Sequence, residues 1–305
     1  TISKPRVKIE VPENSLKREN EYWNAFKKDS LDKRKLRTYT SIDSLSLSEK
    51  IEHKVFLGRK IINGYFPVSI FDIDLRSIVK YNNFEGFRLG LGAVTNSKLS
   101  EKYKVAFYGA YGLKDEEFKF GITPSYLVDK SSETWVSASY SEDIYEIAQT
   151  NFVTDSRRFK IYDPRPINIS TFYNNKMSSA FIESKFLPKT SSYFGISHNQ
   201  IQPLFDYTFI NDGKTYTNYT ITALQLAVQW NPFSNYMQTP VGKIEYEKRH
   251  PKFSIQYTQT VPNLLENNFV FSKLDFKTYY ELPFLSGQKS SILLQTGIAF
   301  GNRSE

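Results

Sequence analysis

From Tyr65 to the end of the chain, apolar and polar residues alternate with a period of two, in runs longer than an ordinary soluble sheet uses. Phe87, Leu89, Leu91 and Ala93 alternate with Arg88, Gly90 and Gly92; Tyr103, Val105 and Phe107 with Lys104, Ala106 and Tyr108; Phe118, Phe120 and Ile122 with Glu117, Lys119 and Gly121. The same pattern returns at Leu224–Trp230 and Phe253–Tyr257, and most clearly at Leu274, Phe276, Thr278, Tyr280 and Leu282, set against Lys273, Asp275, Lys277, Tyr279 and Glu281. Successive side chains of a strand point to opposite faces, so each run is a strand with one greasy face. A soluble strand averages about 5–6 residues, whereas a tilted strand crossing a bilayer needs about 9–11, and several of these runs reach that length.

Turn residues fall between the runs. Asn211-Asp212-Gly213-Lys214 separates Phe205–Ile210 from Tyr216–Ile221, and Leu285-Ser286-Gly287-Gln288 precedes Ile292–Phe300. Asp-Gly between alternating runs is a strong hairpin signal. Mean hydropathy is only −0.47, and no stretch of about 20 apolar residues exists for a spanning helix. The longest uncharged stretch, Thr215 to Gly242, is interrupted by Asn231, Pro232, Asn235 and Pro240. A membrane barrel tolerates this, because only alternate residues face lipid. The excess of Phe (24) and Tyr (21) over Trp (3) also suits pleated surfaces.

The expected fold is therefore all-β: a transmembrane antiparallel up-and-down β-barrel, incomplete in this segment because the pattern runs to Phe300, behind a short N-terminal helical region. Residues 1–62 are expected to be a helical periplasmic or plug-like segment and residues 63–305 the barrel strands. In the first part, Asn14 or Ser15 could cap a helix carrying Trp23 and Phe26, and Ser46 or Ser48 a second whose Ile51, Val55 and Ile62 share one face. Their apolar faces are narrow, so they must dock on the barrel mouth, the lumen or another domain. Residues 151–175, polar and Pro-interrupted, read as a long loop.

Phe87, Leu89, Leu91, Val105, Phe107, Phe118 and Phe120 are expected to face lipid. Arg88, Lys104, Glu117, Lys119, Lys273, Asp275, Lys277 and Glu281 are expected to face the lumen, since Lys at mid-depth on the lipid side would cost about 2–4 kcal/mol. The last four read as an ion ladder packing the lumen, or as a conduction path. Tyr81, Phe84, Tyr103, Tyr111 and Trp135, at strand ends, are expected to form interfacial girdles.

Catalytic signals are weak. His53, His198 and His250 are isolated, without metal-ligand spacing. Ser197-His198-Asn199 suggests a lipid-hydrolysing barrel only if nucleophile and base meet from facing or neighbouring strands. Asp72 and Asp74 share a strand face but lack a third oxygen ligand for calcium. Gly90-x-Gly92 has no third glycine or following helix, and reads as small lumen-facing residues rather than a phosphate cradle. The sequence has no cysteine, so thiolate metal sites and disulfides are excluded. The net charge of +8 comes from 40 basic residues spread among 32 acids, without a basic run for nucleic acid; outer-membrane lipid and lipopolysaccharide are the expected counter-charges. No cofactor is implied.

Several stretches together resemble a known family: Tyr39-Thr40-Ser41-Ile42-Asp43-Ser44, Tyr111-Gly112-Leu113-Lys114-Asp115, Asp163-Pro164-Arg165-Pro166, Gln229-Trp230-Asn231-Pro232-Phe233 and, most specifically, the run from Lys80 through Tyr81-Asn82 and Glu85-Gly86-Phe87-Arg88 to Gly92. They are similar to an uncharacterised outer-membrane barrel family of Bacteroidota whose members carry an N-terminal carboxypeptidase-regulatory-like domain. The resemblance implies a Gram-negative outer-membrane location with a periplasmic N-terminus, and brings no catalytic residues. The expected role is a non-enzymatic barrel, a transporter or a structural partner of other envelope proteins. The alternatives are an assembly or secretion barrel of the surface-antigen type, for which no Arg-Gly-Phe tip is found, and a barrel lipid hydrolase.

Overall fold

A computed structural model describes residues 34, 37–41, 44, 57–58, 60–147, 151–155, 171–211, 214–239, 242–262, 264–265, 267, 269–284 and 287–301. The chain divides into two compact units, Thr1–Phe56 and Leu57–Glu305. In the first, Arg34, Arg37–Ser41 and Ser44 are helical and exposed. The helix expected around Trp23 and Phe26 lies outside the described residues, as does His53. In the second unit, Leu57, Gly58 and Lys60–Ile62 are helical, where the second helix was expected to end.

The rest of the second unit is an antiparallel meander. Its strands are β1 (Tyr65–Val68), β2 (Phe71–Asp74), β3 (Val79–Asn82), β4 (Gly86–Thr95), β5 (Tyr103–Gly112), β6 (Phe118–Asp129), β7 (Thr134–Glu146), β8 (Phe172–Ser184) and β9 (Thr190–Pro203), followed by β12 (Tyr219–Trp230), β15 (Lys252–Thr260), β16 (Phe271–Pro283) and β17 (Lys289–Gly301). They form one sheet in which each strand pairs with the next, with β2 and β3 together lining one edge of β4; β1 and β17 end the path without meeting. Two small hairpins, β10 (Phe209–Asn211) with β11 (Lys214–Tyr216) and β13 (Asn235–Thr239) with β14 (Gly242–Glu247), stand outside this sheet.

The alternation becomes two faces. Phe118, Phe120, Ile122, Tyr126 and Val128 of β6 are exposed while Lys119, Gly121 and Ser125 are buried. Phe87, Leu89, Leu91 and Phe107 share the exposed face, and Val105 stands on it half-buried. A row of apolar residues crosses seven strands in register: Val136, Ile182, Phe194, Leu226, Tyr257, Leu274 and Ile298.

This apolar band is not level with the hydrogen-bond rows. Leu274, where the outer face of β16 turns apolar after Ser272, is in register through that row with Tyr126 of β6. The apolar face of β6 already begins at Phe118, eight residues earlier. Over the six strand-to-strand steps the band slips by about 1.3 residues per strand, which at about 3.3 Å per residue and 4.8 Å between strands is a tilt of about 40°.

The structure corrects several expectations. Asp212-Gly213 lies outside the described residues, and the strands on either side of it are the short β10–β11 pair; the long strand of the meander starts only at Tyr219. The expected loop over 151–175 yields its last residues to β8, which begins at Phe172. Trp135 is not in an outer girdle. It falls on the inner face, where Lys104 lies 4.4 Å from its ring centre. Tyr81, Tyr103 and Tyr111 are exposed, but Phe84 packs against Phe172 at 5.6 Å.

Candidate functional site

The inner face encloses a cavity of about 2550 Å³. One wall is hydroxyl-rich: Ser137 donates to Ser125 at 2.9 Å, Thr123 and Ser139 are 2.8 Å apart, and Ser179, Ser191 and Ser197 continue the lining. Lys104 also lines the cavity there, in register with Ser125. Lys273, Asp275, Lys277 and Glu281 line it from β16 and make that wall ionic. The expected ladder is only partly internal to β16: Lys273 pairs with Asp275 at 3.1 Å, whereas Glu281 pairs with Lys289 of β17 at 2.9 Å and Lys277 with Asp155.

Arg88 and Lys119 lie on the same face but are sealed in a charged latch at the end where β4 begins. Asn82 builds the corner: its Oδ1 accepts the main-chain N–H groups of Phe84 (3.0 Å) and Glu85 (2.8 Å), and its Nδ2 donates to Glu85 Oε2 (2.5 Å). Gly86 then takes φ +68°, a left-handed conformation costly to residues with a Cβ. The corner drives Glu85, fully buried, to 3.2 Å from Lys119 Nζ and 3.6 Å from Arg88. Lys119 also donates to Asp115. Arg88 binds both carboxylate oxygens of Asp143 on β7, at 2.6 and 2.9 Å, and Tyr108 donates to the same carboxylate at 2.7 Å. Gly121 of β6 leaves room for the Tyr108 ring, which a Cβ there would meet at 2.5 Å.

Gly90 and Gly92 have a steric reason. A 3-10 turn, Leu75–Ser77, separates β2 from β3 and rests on β4. A Cβ on Gly90 would come within 2.7 Å of the Ser77 carbonyl oxygen and one on Gly92 within 2.8 Å of Ser77 Oγ. The run from Asn82 to Gly92 is thus a packing unit: a corner, two ion-pair partners and two clearances.

A second feature crosses the interior. Residues Asn151–Asp155, between β7 and β8, reach β15 and β16. Val153 N–H donates to Gln256 Oε1 at 3.0 Å, and Gln256 Nε2 donates to the Asn151 carbonyl at 3.3 Å. Asp155 N–H closes a turn onto the Phe152 carbonyl at 3.0 Å. Lys277 holds the Asp155 carboxylate and lies 4.3 Å from the centre of the Phe152 ring, which is 4% exposed.

Glu117 departs from its expected place. β6 begins one residue later, so Glu117 is an exposed turn residue whose carbonyl, not its carboxylate, accepts from Gly112 N–H and Lys119 Nζ. Ser197 and Asn199 point inward, with Asn199 donating to Ser197 Oγ at 3.1 Å, while His198 points to the other face and meets Thr222 Oγ1 at 2.9 Å. Neighbours on a strand face opposite ways, so this serine and this imidazole are kept apart. His250 lies edge-on to Tyr279 at 5.2 Å. Asp72 is held by Lys60 at 2.6 Å and Asp74 by both Arg76 Nε (2.7 Å) and Nη2 (2.9 Å), so each acid already has a cation. Glu85, Asp143, Gln256, Phe152 and Asp155 were missed; only the register and the inward run of Asn151–Asp155 bring them to the others.

A meander with an apolar outside, a polar ion-paired inside and this strand tilt defines an up-and-down β-barrel sheet, here with its two edges apart. The chain belongs to the family described as "Family of unknown function (DUF5686) C-terminal domain", which residues 54–305 match. Among solved structures, the chain is similar to one described as BamA from Haemophilus ducreyi lacking POTRA domains 1-3, at 12% identity and a TM-score of 0.48. The match covers 78% of this chain, which spans less than half (42%) of that one. No curated protein matches the sequence.

Proposed function

We propose that the strands from Tyr65 to Gly301 are the membrane-spanning part of a non-enzymatic outer-membrane barrel in a Gram-negative envelope. The slip of the apolar band carries this reading: a tilt of about 40° falls within the 35–45° of transmembrane barrels, and the seven-strand apolar row supplies the lipid face. The end bearing the connections 96–102, 130–133, 185–189 and 284–288, and the longer 231–251 with its β13–β14 hairpin, is assigned to the periplasm, because such barrels place most of their short turns there. Lipid and lipopolysaccharide then surround the outer face.

The role assigned is that of a structural partner of other envelope proteins or a transporter. Support for a non-catalytic role comes from the opposed directions of Ser197 and His198 and from acids already bound to cations. The assembly or secretion alternative is favoured by one observation: the interior already holds a stretch of polypeptide, Asn151–Asp155. The test is to fractionate envelopes containing the full-length protein, follow heat-modifiable gel mobility and identify co-purifying proteins. Recovery in the inner membrane or cytosol would end the outer-membrane reading.

A further inference from the structure

We infer that the inner wall at Gln256 and Lys277 is a peptide-binding site, occupied in this structure by the chain's own Asn151–Asp155, and that its ligand class is a turn-forming polypeptide with an aromatic residue three positions before an acid. The inference rests on the barrel reading above and adds the chemistry of what the interior holds.

Gln256 engages the main chain alone. Its carboxamide accepts from one peptide N–H and donates to a carbonyl two residues earlier, a pairing any sequence can supply. It sits on a strand paired on both sides, which fixes its backbone. Lys277 supplies the selectivity. One ammonium meets the Asp155 carboxylate and the face of Phe152 together, which the Phe152–Asp155 turn makes geometrically possible. Between them, two side chains on neighbouring strands grip the backbone, one acid and one ring, while the surrounding cavity leaves space for more chain. A tethered segment competes at about millimolar effective concentration, so a free peptide binds measurably only when the resident segment is weakened.

The experiment uses the full-length protein refolded in lipid vesicles and a fluorescein-labelled peptide containing Asn-Phe-Val-Thr-Asp. Anisotropy is expected to show saturable binding to Phe152→Ala/Asp155→Ala protein at least tenfold tighter than to wild type. Binding should fall at least tenfold when Gln256→Ala or Lys277→Met is added, and when Asn replaces Asp in the peptide. Asp155→Ala alone serves if the double variant loses heat-modifiable mobility, with a smaller gain over wild type expected. No binding to a folded, emptied variant would overturn the inference, as would binding indifferent to Gln256 and Lys277. If wild type itself shows no heat-modifiable, lipid-inserted form, the barrel reading fails instead.

Discussion

Arg88 of β4 and Asp143 of β7 are joined by two hydrogen bonds, 2.6 and 2.9 Å long, across the two strands that separate them in the sheet. A sheet joined this way is strongly curved at that end. Removing one partner leaves the other charged and buried, which costs about 3–5 kcal/mol. Arg88→Met is therefore expected to lower the folding free energy by that amount. Lys176→Met, which breaks the more exposed Lys176–Glu142 pair, should cost under about 1 kcal/mol. Urea titration of both variants in the same vesicles checks the contrast, and equal losses would refute it.

The tilted apolar band predicts a side-dependent response to charge. Leu226→Arg places a guanidinium on the outward face where the apolar band crosses β12 and should cost about 2–4 kcal/mol at mid-bilayer depth. Gln225→Arg, one residue away on the cavity wall, should cost less than half as much. Folding titrations that rank the two the other way would invert the assignment of faces.

Gly90→Val is expected to displace the 3-10 turn from β4, because its Cβ would meet a backbone oxygen that cannot swing aside. Overpacking of this kind costs about 1–3 kcal/mol. Ser77→Gly removes the hydroxyl above Gly92 but not the carbonyl above Gly90, so it should rescue Gly92→Ala and leave Gly90→Val unrescued. Thermal loss of the heat-modifiable form measures all five variants, the two doubles included.

The long alternating runs made β4, β5, β6, β12, β15 and β16 legible from the sequence, because each has large apolar side chains at every second position. β8 was harder: its outward residues Lys176, Ser178 and Ala180 carry almost no apolar signal, and the strand begins inside a polar stretch. Trp135 misled for a different reason. An aromatic ring at a strand end suits a membrane interface and a cation partner equally well, and only the location of Lys104 decides between them. The charged candidates were legible as residues but not as a site. Arg88 and Asp143 are 55 positions apart and Lys277 and Asp155 are 122 apart, and no local spacing announces such pairs.

Replacing His198 with Ala, or Ser197 with Ala, is expected to leave both insertion and any cellular role of the protein intact. His198 is hydrogen-bonded to Thr222 and stands on the face opposite Ser197. Lipid-hydrolysis and phenotype assays on correctly inserted protein test this, and a specific loss of activity in either variant would reinstate the hydrolase.

Glu85 stands between Lys119 and Arg88 while Asn82 fixes its position, so neither cation can change without leaving a carboxylate stranded in the interior. Drift at these positions is therefore coupled: a lineage that loses Lys119 has a narrow path open to it, through neutral Gln at 85 and a smaller corner residue at 82. The four positions should be inherited as a block, and a relative carrying half of it should hold a new cation in the gap.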